Sequence, residues 1–176
     1  MATTKWVLDP THSELQFKVK HLMITTVTGS FTDFKAEIST ENDNFESATS
    51  SFTAQVDSIS TGNADRDGHL KTGDFFDAAQ FPTISFESTS FVKGDDDYKL
   101  NGNLTIKGVT KPVTLNVEFG GTAQDPWGNT KAGFTINGKI NRGDFGLTYN
   151  AALETGGVML SDEVRIVGEL QFSKQA

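Results

Sequence analysis

The sequence predicts an all-β fold, an antiparallel barrel or sandwich of about eight strands, and three observations support that prediction. In segment 13–21, apolar residues such as Phe17 and Val19 alternate with polar ones such as Lys18. This pattern is typical of a strand with one buried and one solvent-exposed face. Six further segments alternate in the same way, and a seventh, 29–38, does so with a less clean phase; turn residues rather than long helices separate most of them. The 176 residues include 14 Phe and 17 Gly but only 4 Pro, which favours many strands around an apolar interior.

The predicted strands are short segments in which every second residue is apolar. They lie at 13–21, 29–38, 52–56, 84–86, 100–106, 113–119, 134–140 and 164–172, with clear turn signals at 93–97, 108–111 and 124–128. Two Asn-Gly pairs, Asn101-Gly102 and Asn137-Gly138, are typical hairpin signals. The alternation continues through both pairs without a change of phase, so we predict unbroken strands there.

One segment, 63–80, does not alternate and is predicted to form one or two short helical turns across an open end of the β structure. Thr61 or Asn63 could cap the first turn and Asp74 the second, while Pro82 marks the stop.

Length, charge and cysteine content exclude several classes of protein. A chain of 176 residues predicts a single domain spanning 1–176. Lys plus Arg number 15 and Asp plus Glu 23, and the net charge of −8 opposes binding to nucleic acid or to an anionic membrane surface. Without cysteine there are no disulfides, thiolate zinc sites, iron–sulfur clusters or Cys nucleophiles.

The ends and the apolar runs of the chain bear on its compartment. No apolar run approaches the length of a transmembrane helix, so we expect no stable membrane insertion. No signal peptide is visible, which predicts a cytoplasmic protein, or a periplasmic one if this is a cloned mature form.

Three glycines share the phase of the inward apolar residues. Gly102, Gly138 and Gly168 each stand between two Leu or Ile residues at the i−2 and i+2 positions. One interpretation is that glycine lets the strands coil tightly enough to close a barrel. The other is that the missing side chains leave room for a small ligand, since an eight-stranded barrel is either just filled or holds one.

Nine short motifs occur along the chain. They are Trp6-x-Leu8-Asp9-x-x-His12-Ser13, Phe17-x-Val19-x-His21, Gly29-x-Phe31, Arg66-Asp67-x-His69-Leu70, Asp74-Phe75-Phe76-Asp77, Phe81-Pro82-x-Ile84-x-Phe86, Leu104-Thr105-Ile106-Lys107-Gly108-Val109-Thr110, Arg142-x-Asp144-Phe145-Gly146 and Ser161-Asp162-Glu163-Val164. In this order and spacing they resemble the YceI-like family of polyisoprenoid-binding, lipocalin-like proteins. The resemblance covers nearly the whole chain. It implies an extended eight-stranded antiparallel barrel with a long apolar pocket that binds a long-chain isoprenoid, a quinone or a related lipid without catalysis. Members are often exported and often dimeric, which leaves a homodimer open.

We predict that inward apolar side chains line the pocket, that the three glycines supply room and that two polar residues meet the head group. The predicted lining residues are Phe17, Val19, Gly102, Leu104, Ile106, Val117, Ile136, Gly138, Ile166 and Gly168. Arg142 is the candidate cation for a charged head group, and His21 could hydrogen-bond a neutral one. The segment 63–80 would act as a gate. Neither a cofactor nor a resident metal is predicted.

Two alternatives remain open at this point. Asn63, Asp65, Asp67 and Asp74 nearly match the ligand spacing of an EF-hand calcium loop, although position twelve is Asp instead of Glu and flanking helices are missing. The second alternative is a stress-related interaction protein whose barrel is filled by its own side chains and binds no ligand. Only three histidines occur, none paired at i, i+4, and there is no Gly-x-Ser-x-Gly motif, so the sequence offers no clear catalytic constellation.

Overall fold

The computed structural model describes residues 3–21, 24–41, 44–95, 97–147 and 160–175. These residues form one antiparallel sheet and one α-helix. The strands are β1 (Thr3–Leu8), β2 (Glu14–His21), β3 (Thr25–Phe31), β4 (Phe34–Glu41), β5 (Asn44–Gln55), β6 (Ile59–Ser60), β7 (Thr83–Lys93), β8 (Tyr98–Ile106), β9 (Val109–Gln124), β10 (Thr130–Asn141) and β11 (Leu160–Lys174), and the helix is α1 (Ala64–Leu70).

The sheet closes on itself and forms a barrel. Its order is β1-β4-β5-β7-β8-β9-β10-β11, and β11 pairs with β1 to complete the ring. The same edge of β11 also pairs with β2, which pairs with β3, which in turn pairs with β6. Strands β1 and β2, β3 and β4, and β5 and β6 are therefore three long strands that are each interrupted once. The prediction of an eight-stranded antiparallel barrel is confirmed.

The three interruptions lie side by side across neighbouring strands. Residues Pro10–His12 and Val56–Ser58 form 3-10 turns, and residues 32–33 form a bend between β3 and β4. Backbone bonds run between them, including the amide of Thr32 to the carbonyl of Ser58 at 3.3 Å. In the first turn Asp9 accepts from the amide of Thr11 at 3.1 Å, and Pro at the following position has no amide to satisfy.

Alternation along the strands directs the apolar residues into the barrel. In β4 the burial pattern alternates strictly, with Phe34, Ala36 and Ile38 buried and their neighbours facing out. The most deeply buried large side chains include Trp6 and Phe145, each 1% exposed. β1 was not predicted, because only two residues, Trp6 and Leu8, establish its phase before Pro10 ends it. Both Asn-Gly pairs lie within unbroken strands, β8 and β10, as predicted.

The predicted helical segment forms one helix followed by turns. Asn63 caps α1 by accepting from the amide of Arg66 at 3.1 Å, as predicted. Asp74 does not begin a second helix; it lies in a series of turns, where it contacts His69. The segment leads from β6 to β7 and touches the β8–β9 turn, where Lys107 donates to the carbonyl of Gly73 at 2.9 Å. At seven residues α1 is too short to cross a membrane, and the described part of the chain holds no helix with the length and apolarity that crossing needs.

Candidate functional site

The interior of the barrel contains an elongated cavity of about 360 Å³. Its volume lies within the range of about 300–1,000 Å³ that is typical of small-molecule sites. The lining side chains are mostly Phe, Leu, Ile and Val from the strands, with a few from the segment that follows β6. Those on the inner face include Leu15, Val27, Phe31, Phe52, Phe86, Leu100, Val113, Leu115, Ile140, Val164 and Leu170.

Most of the residues that the sequence predicted for the pocket lie together in the wall of this cavity. They come from five strands and from the turn after β10, and they are Phe17, Val19, Leu104, Ile106, Val117, Ile136, Ile166 and Arg142. The side chain of His21 lies outside the described residues. Gly102, Gly138 and Gly168 are absent from the lining.

The two ends of the cavity differ in chemistry. At one end Phe45, Phe134 and Phe172 pack against each other, with ring centroids of Phe45 and Phe134 5.3 Å apart and those of Phe134 and Phe172 5.8 Å apart. Trp6 lies behind them, 5.1 Å from Phe45. Arg142 follows the end of β10, eight residues after Phe134 in the chain. Eight residues of extended strand span about 26 Å, so the two side chains lie at opposite ends of the barrel. The cavity therefore joins an aromatic end to an end that carries a cation.

Arg142 is 5% exposed and is held by backbone carbonyl groups. Its Nε donates to the carbonyl of Ser161 at 2.9 Å and one terminal nitrogen donates to the carbonyl of Leu147 at 2.6 Å. Burial lowers the pKa of Arg142, and the nearby charge of Asp162 opposes that shift. The guanidinium nevertheless stays protonated, because arginine loses its proton only far above neutral pH. The cavity wall thus includes a buried positive charge whose orientation is fixed by the main chain.

Polar side chains also enter the wall where the chain leaves β6 and begins α1. These are Thr61, Arg66 and His69. The side chain of Arg66 donates to both the hydroxyl and the carbonyl of Thr61 at 2.7 Å, and the Nε2 of His69 lies 2.9 Å from Asp74. The sequence did not predict these residues as lining, because a two-turn helix shows no periodicity that separates an inner from an outer face.

Comparison with known proteins identifies the family. The family model described as the YceI-like domain matches residues 6–172. The chain belongs to the YceI-like family. A UPF0312 protein of Staphylococcus aureus (strain N315) is 40% identical over 171 residues, covering 97% of this chain and 98% of that protein.

Solved YceI-like structures share the fold. The Campylobacter jejuni YCEI protein has a TM-score of 0.77 at 34% identity, covering 89% of this chain and 90% of its own. A polyisoprenoid-binding domain from Saccharophagus degradans, implicated in plant cell wall breakdown, has a TM-score of 0.66 at 18% identity, covering 97% of this chain and 98% of its own. The second likeness concerns the fold alone.

The inward glycines of this YceI-like barrel do not open the cavity, and the expectation that they leave free volume is wrong. A Cβ at Gly102 would lie 2.3 Å from the Phe86 ring, and one at Gly138 would lie 2.3 Å from a methyl of Leu115. At Gly168 it would lie 2.8 Å from Ile136. Side chains of adjacent strands therefore already occupy the space above each glycine. Glycine makes room here for its neighbours, which themselves line the cavity.

The calcium alternative does not agree with the geometry of the YceI-like fold. Asp65 and Asp67 are both on α1, where residues two apart project to different sides of the helix. Asn63 already accepts from the amide of Arg66, and Asp67 accepts from the amide and hydroxyl of Thr61 at 2.8 and 2.6 Å. These oxygens satisfy the start of the helix and do not converge on a common point.

Proposed function

We propose that this YceI-like protein binds one long-chain amphipathic lipid, an isoprenoid or quinone, inside its barrel and stores or carries it without chemical change. The observation that carries the proposal is the elongated cavity with an aromatic end and a cationic end. Such a gradient fits a molecule whose tail is apolar and whose head group contains oxygen. A solved polyisoprenoid-binding domain shares this fold, so the fold can accommodate a ligand of this class.

Burial of the tail supplies most of the free energy that binding needs. Each methylene group removed from water contributes about 0.8 kcal/mol, so ten to fifteen carbons contribute roughly 8–12 kcal/mol before ordering costs. Micromolar binding needs about 8 kcal/mol net, so the tail supplies most of what is required. In this proposal the tail lies against Phe17, Leu104 and Ile166, and the head group lies next to Arg142.

The head group would lie beside the positive charge of Arg142. Its guanidinium is oriented by two carbonyl groups, and the residue is part of the cavity wall. A buried cation binds a carbonyl or phosphate oxygen more strongly than an exposed one does, because water does not compete. Residues from Thr61 to His69 would close the cavity over the ligand.

The direct test is organic extraction of the freshly purified protein, with mass spectrometry of the extract and native mass spectrometry of the intact complex. We expect a lipid with a long apolar chain at about one molecule per chain. If the protein is empty and also fails to bind added prenyl lipids, the proposal is wrong and the barrel does not function as a carrier.

A pair of matched variants ties the ligand to the cavity. Val164 lines the cavity, whereas Val167 on the same strand alternates to the outer face and is not in the lining. Val164→Phe should displace roughly two methylene groups of ligand, which costs about 1.6 kcal/mol or about fifteenfold in affinity. Val167→Phe should bind lipid like the wild type. Equal lipid content in the two variants would place the lipid outside the barrel.

A further inference from the structure

A row of basic side chains crosses the outer face of the barrel in a protein whose net charge is −8. Lys18 on β2 stands directly opposite Arg165 on β11, and Arg165 stands directly opposite Lys139 on β10. Lys20 follows on the same face of β2. The inner neighbours of these residues line the cavity, so the four basic side chains point outward.

The arrangement is costly for folding. Directly opposed side chains on neighbouring strands have Cβ atoms about 4.5–5.5 Å apart, and like charges at that distance repel. Lys139 is compensated by Glu163 at 3.8 Å. Among the residues that the structure describes, Lys18, Lys20 and Arg165 take part in no salt bridge. Repulsion that the fold leaves uncompensated would be relieved by an anionic surface.

The same face is polarised along its length. Towards the other end of β2 and β11, Glu14 stands opposite Glu169, so the charge changes from positive to negative along two strands. The basic row adjoins the turn between β2 and β3, where Ile24 is 77% exposed. The basic row also lies near the start of β11 and the end of β10, and Arg142 is the first residue after β10.

We propose that this face, formed by Lys18, Lys20, Lys139, Arg165 and Ile24, docks the protein on an anionic lipid surface. Basic side chains beside an exposed apolar one match a bilayer surface, where phosphate groups lie above acyl chains. The net charge of −8 does not prevent this, because at physiological salt a surface responds to charges within about 8 Å. The choice of a lipid surface over an acidic protein rests on the proposed function, since a lipid carrier exchanges its cargo with a membrane.

The test measures co-sedimentation of the full chain with phosphatidylcholine vesicles that either contain or lack phosphatidylglycerol. The vesicles contain no isoprenoid or quinone and sedimentation reports docking alone, so failure of docking is distinguishable from failure of ligand binding in the barrel. We expect binding only to the anionic vesicles. The triple variant K18Q/K20Q/R165Q should bind them on the order of a hundredfold more weakly, at about fivefold for each residue.

The matched control, K5Q/K35Q/K93Q, removes the same charge from β1, β4 and β7. It should bind anionic vesicles like the wild type. K18Q/K20Q/R165Q, which removes the repulsion, should unfold at a temperature no lower than that of the wild type. An equal loss in the control would show that only net charge matters and would overturn the proposal. Binding to neither type of vesicle would overturn it as well.

The orientation on the bilayer has its own readout. Trp127 is 83% exposed in the β9–β10 turn, beyond the end of β11 that is remote from Ile24. Trp6 is buried, so exposure-sensitive changes in the emission of the wild type come from Trp127. We expect no blue shift in the wild type on anionic vesicles, and a blue shift when Ile24→Trp is introduced together with Trp127→Phe. The opposite pattern would mean that the other end of the barrel meets the membrane.

Discussion

Alanine at Gly102 and alanine at Gly138 should have different consequences, although both glycines face inward in the middle of a strand. At Gly102 the new Cβ would lie 2.3 Å from the Phe86 ring and 2.5 Å from the carbonyl oxygen of Glu87. Carbon atoms in ordinary contact are about 3.5–4.0 Å apart. The ring could rotate away, but the carbonyl belongs to the main chain of β7, so the two strands must separate.

The expected cost at Gly102 follows from overpacking. Forcing a methyl group into a filled site destabilises the fold by about 1–3 kcal/mol. Replacing glycine by alanine in a strand stabilises it by about 0.5–1 kcal/mol, because the unfolded chain loses conformational freedom. The free energy of unfolding should fall by about 1–2 kcal/mol, and each kcal/mol lowers Tm by about 2–4 °C at this chain length.

At Gly138 the closest atom is a terminal methyl of Leu115, and the next contacts are at 3.6 Å. Leu115 lines the cavity and can rotate into it, so Gly138→Ala should change stability by less than about 0.5 kcal/mol. The rotated side chain then occupies space that the proposed ligand needs, and lipid content should fall. The two glycines therefore separate stability from binding.

The assay is urea unfolding of both variants, freed of lipid, with lipid content measured on separate preparations. Leu115→Val provides the control, because it shortens the side chain that meets Gly138 and should restore lipid binding in the Gly138→Ala background. If Gly102→Ala is as stable as the wild type, or if both variants lose the same stability, the close approaches described above do not govern these positions.

Two further predictions concern Arg142 and Asp9. Arg142→Met leaves the carbonyl groups of Ser161 and Leu147 without this donor, so the free energy of unfolding should fall by about 2–6 kcal/mol. Unchanged urea unfolding would show that these two hydrogen bonds do not stabilise the fold. The hydroxyl of Thr11, together with the neighbouring imidazole, holds the pKa of Asp9 well below its usual range. A carboxyl group whose pKa is lower in the folded state than in the unfolded chain stabilises the fold above its unfolded pKa, and this stabilisation is lost as the pH falls. Thermal melts should therefore show that wild-type stability decreases below about pH 4, and Asp9→Asn should make that decrease smaller. A pH dependence identical in the variant would show that other carboxyl groups are responsible.

Alternation predicted the strands because burial on one side of a sheet acts on every second residue. It located the strand residues of β8 and β10 even where Asn-Gly pairs suggested turns. It missed β1, in which only Trp6 and Leu8 repeat. It also could not show that β1 closes the ring against β11, because a contact between the two ends of a chain leaves no trace in local periodicity.

The sequence could predict the pocket residues that lie on the inner faces of strands. Alternation identifies the inward residues, and in a barrel these face the interior, as do Phe17, Leu104 and Ile136. The volume left between them depends on how neighbouring side chains fill the glycine positions, which is a property of pairs of strands. The lining by Arg66 depends on how α1 crosses the opening, and a helix of seven residues carries too little pattern to predict it.

The aligned interruptions at Pro10–His12, 32–33 and 56–58 leave β2, β3 and β6 as a branch of the sheet beside the continuous ring that β1 and β11 close. At the far end of this branch, β6 pairs with β3 through only two residues and, within the described sheet, with no other strand. Amide hydrogen exchange should therefore be faster in β6 and the adjoining part of β3 than in β9 and β10, since a local opening there leaves the ring intact. A ligand could then enter and leave at the free energy of that local opening, so its rate of exchange can change during evolution without any change in the global stability of the barrel.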